Sequence, residues 1–165
     1  VSSLVKELKS IAKNKDRDIS AAVFPYPEMS KRMVLQDWSS WELDIICPMN
    51  YHNFYEGDID WIADSVSKGI KYKKSDGMYL SGLFLGALSP TKLKEAIKAC
   101  LKSGADGVCL FNNEYLTEKH INVIKSFHIW RSIFTEVIPL TYGDCWHKRI
   151  SRISKYPSGQ LIRNR

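Results

Sequence analysis

The apolar and polar positions of the chain follow one pattern that recurs four times: a short apolar run, a polar turn and an amphipathic stretch. Apolar runs of this length, bounded by turn residues, predict strands. The predicted strands cover 19–26, 43–50, 78–85 and 107–111, and an amphipathic helix over 3–15 precedes the first of them. Further helices are predicted over 30–41, about 60–71 and 90–103, and after 117.

Residues that satisfy free backbone groups mark several helix boundaries. Ser89, followed by a proline, predicts a helix start, and Gly104 fits the end of the same helix. Asp58 or Asp60 is expected to cap the third helix of the series, and Thr117 the last one.

Four strand–helix units in series predict an α/β fold with a parallel sheet, because parallel strands need helical crossovers. One candidate architecture is a small open, doubly wound sheet. The other is half of a (β/α)₈ TIM barrel, strands five to eight, because each unit approaches an eighth of the ~250 residues of such a barrel. No glycine-rich phosphate loop follows the first strand, which weakens the nucleotide-binding form of the open sheet. We therefore expect a half-barrel over 1–138 and a basic C-terminal extension over 139–165.

Composition and charge limit the kinds of partner that the chain is expected to bind. The chain has 165 residues, of which 44% are hydrophobic and 25% charged, the balance of a globular protein. Its net charge is +6, but 140–165 has six basic residues and one acid, giving +5 and leaving +1 for the rest. We therefore predict no specific nucleic-acid partner. No apolar run approaches the ~18 residues of a membrane span.

The cysteines suggest neither a disulfide framework nor a metal site. Cys47, Cys100, Cys109 and Cys145 form no CxxC pair and no cluster with zinc-ligand spacing. Free thiols are expected, and neither a metal nor a cofactor is predicted.

Polar side chains gather where three of the strands end, which is where parallel α/β folds place their sites. The chemistry suits a polyhydroxylated ligand, because amides and carboxylates bond hydroxyl groups while aromatic rings cover sugar faces. The candidate catalytic residues are Glu28, Tyr51 and Glu114, and the candidate substrate-binding residues are Tyr26, Asn50, His52, Tyr55, Asn112 and Asn113.

Each of these residues also has a structural interpretation. Glu28 and Glu114 precede helices, where a carboxylate interacts favourably with the helix dipole. Tyr51 continues the alternation of Cys47 and Met49, which would direct it toward a barrel lumen. His52, next along the loop, is expected to point elsewhere.

Two segments carry a resemblance to a known family. The stretches VFPYPEMSKRMVLQDWSSWELDIICPMNYHNFY and GADGVCLFNNEYL resemble the C-terminal half of glycoside-hydrolase-like (β/α)₈ barrels, over about 22–127. The resemblance implies hydrolysis of O-glycosidic bonds in a poly- or oligosaccharide, an N-terminal half-barrel as partner, and a secreted or periplasmic protein. The Met49-x-Tyr51 pair resembles the sixth strand of chitinase-type glycosidases, although His52 stands where they have an acid.

Two other functions stay open at this point. One is a non-catalytic carbohydrate-binding barrel. The other is a phosphate-binding barrel lyase or isomerase, prompted by Ser103-Gly-Ala-Asp-Gly-Val108. An isolated half-barrel would expose an apolar inner face, to which we assign Phe24, Cys47, Met49, Val108 and Leu110. We therefore expect self-association and no glycosidase activity if the chain is truncated.

Overall fold

The computed structural model describes residues 1–127 and contains five helices and four strands in an alternating series. The strands are β1 (Ser20–Val23), β2 (Ile45–Pro48), β3 (Met78–Phe84) and β4 (Gly107–Phe111). The helices are α1 (Ser2–Asn14), α2 (Pro27–Val34), α3 (Ile59–Gly69), α4 (Pro90–Lys102) and α5 (Glu118–Ser126). The expected extension over 139–165 lies outside the described residues.

The four strands form one parallel sheet in the order β1-β2-β3-β4. Each crossover therefore steps in the same direction, and right-handed crossovers then place all the connecting helices on one face. A doubly wound sheet would instead reverse its strand order and carry helices on both faces. The fold is thus an α/β sector of a (β/α)₈ barrel, as the sequence predicts.

The hydrophobic core lies between the sheet and this layer of helices. Strand side chains such as Val23, Ile46 and Leu83 pack there against Ile62 of α3 and Leu93 of α4. Because side chains alternate along a strand, the intervening residues face away from the helices. We call that second surface the inner face; it carries Ala22, Cys47, Gly82, Phe84, Cys109 and Phe111.

Strand β4 corrects the expected face assignment. The sequence interpretation put Val108 and Leu110 on the inner face, but Val108 belongs to the core and Leu110 packs against it. Cys109 and Phe111 take the inner positions instead. The run Gly107–Phe111 is apolar at nearly every position. Its pattern therefore does not indicate which side chains face the helices and which lie on the inner face.

The segment after β1 also differs from the predicted helix over 30–41. Helix α2 begins at Pro27 and ends at Val34, and the next residue, Leu35, adopts a left-handed conformation with φ 53°. The chain then turns back, so that the fully buried Trp38 donates its Nε1–H to the Phe24 carbonyl at 2.9 Å. The Gln36 Oε1 accepts from the Phe24 backbone N–H at 2.8 Å. These contacts stabilise a turn instead of a longer helix.

The predicted caps are confirmed. Asp58 accepts from the Trp61 backbone N–H at 2.9 Å, and Ser89 accepts from Lys92 N–H at 3.3 Å. Gly104 has a φ of +99°, the left-handed conformation expected after a helix end. Thr117 caps α5 in a reciprocal capping box.

The partner of Thr117 in that box is His120. Its Nδ1 accepts from the Thr117 backbone N–H at 3.2 Å, and its Nε2 lies 2.9 Å from the Leu88 carbonyl oxygen. Since Nδ1 is the acceptor, Nε2 carries the proton and donates. The buried His120 thereby ties α5 to the segment that leads into α4.

Candidate functional site

Five aromatic side chains meet where β2, β3 and β4 end. We call this group the aromatic cluster; it comprises Tyr51, Phe54, Phe84, Phe111 and Tyr115. The Tyr51 and Phe111 rings are nearly parallel, with centroids 5.5 Å apart. Phe84 lies in the middle, 5.2 Å from the Phe54 ring and 5.5 Å from the Tyr115 ring.

The strand register explains why these rings meet. Phe84 and Phe111 are the last residues of β3 and β4, are paired in the sheet, and both point to the inner face. Tyr51 follows β2 and reaches across β3 to Phe111. Gly82 leaves room for that ring, because a Cβ at this position would lie 3.3 Å from Tyr51 Cε1 and 2.7 Å from the Pro48 carbonyl oxygen.

Much of the cluster is open to solvent. Phe54 is 60% exposed, Tyr115 47% and Phe111 46%. The Tyr51 ring is covered by its neighbours, and burial raises the pKa of its phenol to about 12. Tyr51 therefore keeps its proton at neutral pH and can donate a hydrogen bond to a ligand.

Asn50, predicted to bind substrate, is not brought to this surface. Its side chain is fully buried between the sheet and α3. The Ser65 hydroxyl donates to Asn50 Oδ1 at 2.6 Å, and Asn50 Nδ2 donates to the Ser81 hydroxyl oxygen at 2.9 Å. The amide thus joins α3 to β2 and β3, and in this conformation it makes no contact with solvent.

Glu28 and Tyr26 lie in a separate groove between α2 and the end of α3. The Tyr72 hydroxyl donates to Glu28 Oε1 at 2.6 Å, and this hydrogen bond lowers the pKa of the Glu28 carboxyl. The Lys68 ammonium lies 5.0 Å from the centre of the Tyr26 ring. These contacts hold both residues against the helix layer and do not bring them to the aromatic cluster.

His52 and Tyr55 belong to a short 3₁₀ turn that also carries Phe54. The Tyr55 ring stacks on Trp61 at 5.0 Å. Burial lowers the pKa of His52, which favours the neutral imidazole, and its Nδ1 is buried without a hydrogen-bond partner among residues 1–127. The turn therefore presents a neutral histidine beside the exposed Phe54.

Asn112, Asn113 and Glu114 lie at the end of β4. Asn112 begins the turn Asn113–Tyr115, and its Oδ1 is buried without a partner within the described residues. Asn113 and Glu114 are exposed, and the next residue, Tyr115, packs on Phe84. Of the two predicted catalytic carboxylates, only Glu114 adjoins a residue of the aromatic cluster, as the chain neighbour of Tyr115.

Phe54, Phe84, Phe111 and Tyr115 were not predicted as site residues. The site was predicted from ionisable and amide groups at the strand ends, and the end of β3 has none. A signal was present, however: aromatic residues end β3 and β4 and follow β2 within three positions.

Within residues 1–127, no group of three or more His, Cys, Asp or Glu side chains is placed to hold a metal ion. No helix in the same part of the chain has the length and apolar character to cross a bilayer.

The chain is similar to known proteins in its fold and not in its sequence. No known sequence family matches the chain, and no curated protein matches it. Among solved structures, the chain is similar to the crystal structure of dihydrodipicolinate synthase from Bacillus clausii, with a TM-score of 0.39 and 20% identity. The match covers 56% of this chain and 33% of the synthase chain, so this chain spans a third of that protein. At this similarity nothing about the synthase reaction transfers.

Proposed function

We propose that this sector of a barrel binds carbohydrate at the carboxyl edge of its sheet, with the aromatic cluster as the binding surface. The observation that carries the proposal is the set of half-exposed rings of Phe54, Phe111 and Tyr115 around the inner face. Sugar rings offer apolar faces that pack on aromatic rings and hydroxyl groups that need polar partners. Such a combination of apolar walls and a few polar groups is typical of ligand sites.

Polar atoms around the cluster suit the hydroxyl groups of such a ligand. Asn112 Oδ1 and His52 Nδ1 are buried with no partner among residues 1–127, at the ends of β4 and β2. Both atoms are closed to solvent as placed, and an unpaired buried polar atom is costly, so a side-chain shift that brings either of them to a ligand hydroxyl would be favoured. The protonated Tyr51 phenol supplies a donor nearby.

Glycoside hydrolysis is the finer form of this proposal. Glu114 would be the acid or base beside the bound sugar, with Tyr51 as a hydrogen-bond donor. Hydrolysis needs a second carboxyl group about 5–9.5 Å from the first. Because Glu28 is held by Tyr72 in the other groove, that second group would come from outside residues 1–127. A complementary half-barrel is the partner that would supply it.

Phosphate binding, the other open function, has less support. The aromatic cluster holds no basic side chain, and the Glu114 carboxylate beside it would repel a phosphate. Phosphate sites in barrels rely instead on glycine amides and a helix N-terminus after the last two strands.

A glycan array followed by titration calorimetry tests the proposal. We expect the full chain to bind an oligosaccharide, and Phe111→Ala or Phe54→Ala to weaken binding about tenfold, since one aromatic contact contributes about 0.5–1.5 kcal/mol beyond its buried area. Met33→Ala is the matched control, because Met33 is exposed on α2, away from the cluster. Failure to bind any glycan would reject carbohydrate as the ligand, and equal binding by all three variants would reject the aromatic cluster as its site.

A further inference from the structure

The loops that follow the four strands, at the carboxyl edge of the sheet, contain carboxylates and no lysine or arginine. These loops cover 24–26, 49–58, 85–89 and 112–117. Their acidic side chains are Glu56, Asp58 and Glu114, all of them exposed. The chain as a whole has a net charge of +6, so the charge of this edge is opposite in sign to that of the protein.

Two of these carboxylates are close in sequence to open rings of the aromatic cluster. Glu114 directly precedes Tyr115, and Glu56 follows Phe54 by two positions in the same loop. Neither carboxylate forms an ion pair within residues 1–127, whereas Asp58 caps α3. The charges of Glu56 and Glu114 are therefore available to a ligand.

The nearest lysines along the chain do not offset these charges. Lys92 lies inside α4, where its ammonium is held by the Glu95 carboxylate at 2.7 Å. Lys119 lies inside α5 and directly follows Glu118, so the first turn of that helix adds no net charge from this pair. The edge as a whole thus favours a positively charged ligand.

The open aromatic rings favour the same kind of ligand. The face of an aromatic ring is its negative side, and it attracts an ammonium group placed over it. The chain makes one such contact elsewhere, where the Lys68 ammonium lies 5.0 Å from the centre of the Tyr26 ring. The cluster itself consists of tyrosines and phenylalanines, so the half-exposed rings of Phe54, Phe111 and Tyr115 can accept the cation of a ligand.

Hydrogen-bond acceptors at the edge add a further preference. Asn112 Oδ1 is buried without a partner within residues 1–127, two positions before Glu114. A rotation of the Asn112 side chain would bring this oxygen to a ligand. An ammonium group donates three hydrogen bonds and accepts none, so it matches carboxylate and amide oxygens.

We infer that the glycan bound by the aromatic cluster carries ammonium groups, as an oligosaccharide of amino sugars without N-acetyl groups does. The inference rests on the proposed function, because it specifies which sugar the same rings bind. The apolar faces of the sugar pack on the rings, and its ammonium groups lie near Glu56 and Glu114. Sugars with carboxylate groups are disfavoured, because like charges would meet there.

Three hexasaccharides that share one backbone and linkage and differ only at carbon 2 test this inference. They carry an ammonium group (glucosamine), a hydroxyl group (glucose) or an acetamido group (N-acetylglucosamine). Each is titrated into the full chain by calorimetry at about pH 6, above the ordinary glutamate pKa of about 4.3. We expect the ammonium hexamer to bind about tenfold more tightly than the hydroxyl hexamer, through two exposed charge pairs. Salt at about 1 M should reduce this preference, because it screens charges beyond about 3 Å.

Charge-neutral variants identify the residues responsible. Glu114→Gln and Glu56→Gln should each reduce the preference for the ammonium hexamer about two- to fivefold and leave the affinity for the hydroxyl hexamer unchanged. Glu42→Gln is the matched control, because Glu42 is an exposed glutamate that precedes β2, at the opposite edge of the sheet. It should keep the full preference.

The outcomes separate this inference from the proposed function. Equal affinity for the ammonium and hydroxyl hexamers, or a preference retained when Glu56 and Glu114 are both replaced, would overturn the inference and leave glycan binding by the rings intact. Tighter binding of a uronic acid hexamer than of the hydroxyl hexamer would also overturn it, since this is what the net charge of +6 alone favours. Binding of none of the hexamers would overturn both proposals.

Discussion

Tyr51 and Phe111 stack with ring centroids 5.5 Å apart and an angle of 14° between planes, although their strands are not neighbours. The contact spans β3, so it links the loop after β2 directly to the end of β4. Its existence depends on Gly82, which leaves the inner face of β3 bare beneath the Tyr51 ring.

Gly82→Ala should therefore destabilise the protein. The new Cβ would lie 2.7 Å from the Pro48 carbonyl oxygen, a backbone atom that cannot move away alone. We expect a loss of about 1–3 kcal/mol, the usual cost of overpacking a well-packed region. Urea unfolding followed by circular dichroism measures the change.

Gly77→Ala is the control for that substitution. Its Cβ would meet no atom closer than 3.4 Å, so its free energy of unfolding should change little. Equal effects of the two alanines would show that the loss reflects glycine flexibility and not the close approach at Gly82.

Asn50→Ala should lower stability without a specific effect on glycan binding. The amide joins Ser65 of α3 to Ser81 of β3 in a fully buried network. Removing it leaves two buried hydroxyl groups without their partner, at a cost of about 1–3 kcal/mol. Thermal melts and a glycan titration on the same sample separate the two effects.

Asn53→Ala is the matched control, because Asn53 is an exposed asparagine three positions along the chain. It should melt like the unchanged protein. A tenfold loss of glycan affinity in Asn50→Ala at unchanged stability would restore the substrate-binding role that the sequence suggests for Asn50.

The difference between the predicted and observed roles of Asn50 shows where local sequence stops being informative. Caps such as Ser89 and Thr117 were predictable because each bonds a backbone group three residues away. Asn50 depends on Ser65 and Ser81, 15 and 31 positions along the chain, so nothing nearby marks it as buried.

The strands and the site show the same contrast between local patterns, which the sequence reveals, and long-range contacts, which it does not. The order of the four strands followed from the repeat of strand and helix, and the bounds of β4 were correct. The face assignment of β4 and the early end of α2 depended on contacts between distant residues, such as Trp38 with the Phe24 carbonyl. The aromatic cluster was missed because it is defined by register between strands.

His52 should make stability depend on pH. Burial lowers its pKa in the folded state below the ordinary value of 6.5, so at pH values between the two the unfolded chain binds more protons. Stability therefore rises with pH through this window and falls as the solution is acidified below about pH 6.5. Melting temperatures across this range measure the slope.

His52→Gln removes this titration and should flatten that slope, whereas Asn53→Ala in the same turn should keep it. A slope unchanged in His52→Gln would mean that other groups account for the pH dependence.

Tyr72→Phe should raise the pKa of Glu28 toward its ordinary value of 4.5, because the Tyr72 hydroxyl bond is the main cause of its lowered pKa. A ¹³C NMR titration of the Glu28 carboxyl measures this directly. Tyr26→Phe is the control, since Tyr26 lines the same groove and causes none of the shift.

The result also bears on the chemistry open to Glu28. A carboxyl with a lowered pKa is ionised at neutral pH, so it holds no proton to give to a leaving group. Its hydrogen bond to Tyr72 stabilises the folded state above the unfolded pKa, and that contribution is lost as the pH falls through the folded value. If Glu28 instead titrates well above 4.5 in the unchanged protein, the Tyr72 hydrogen bond does not control its pKa.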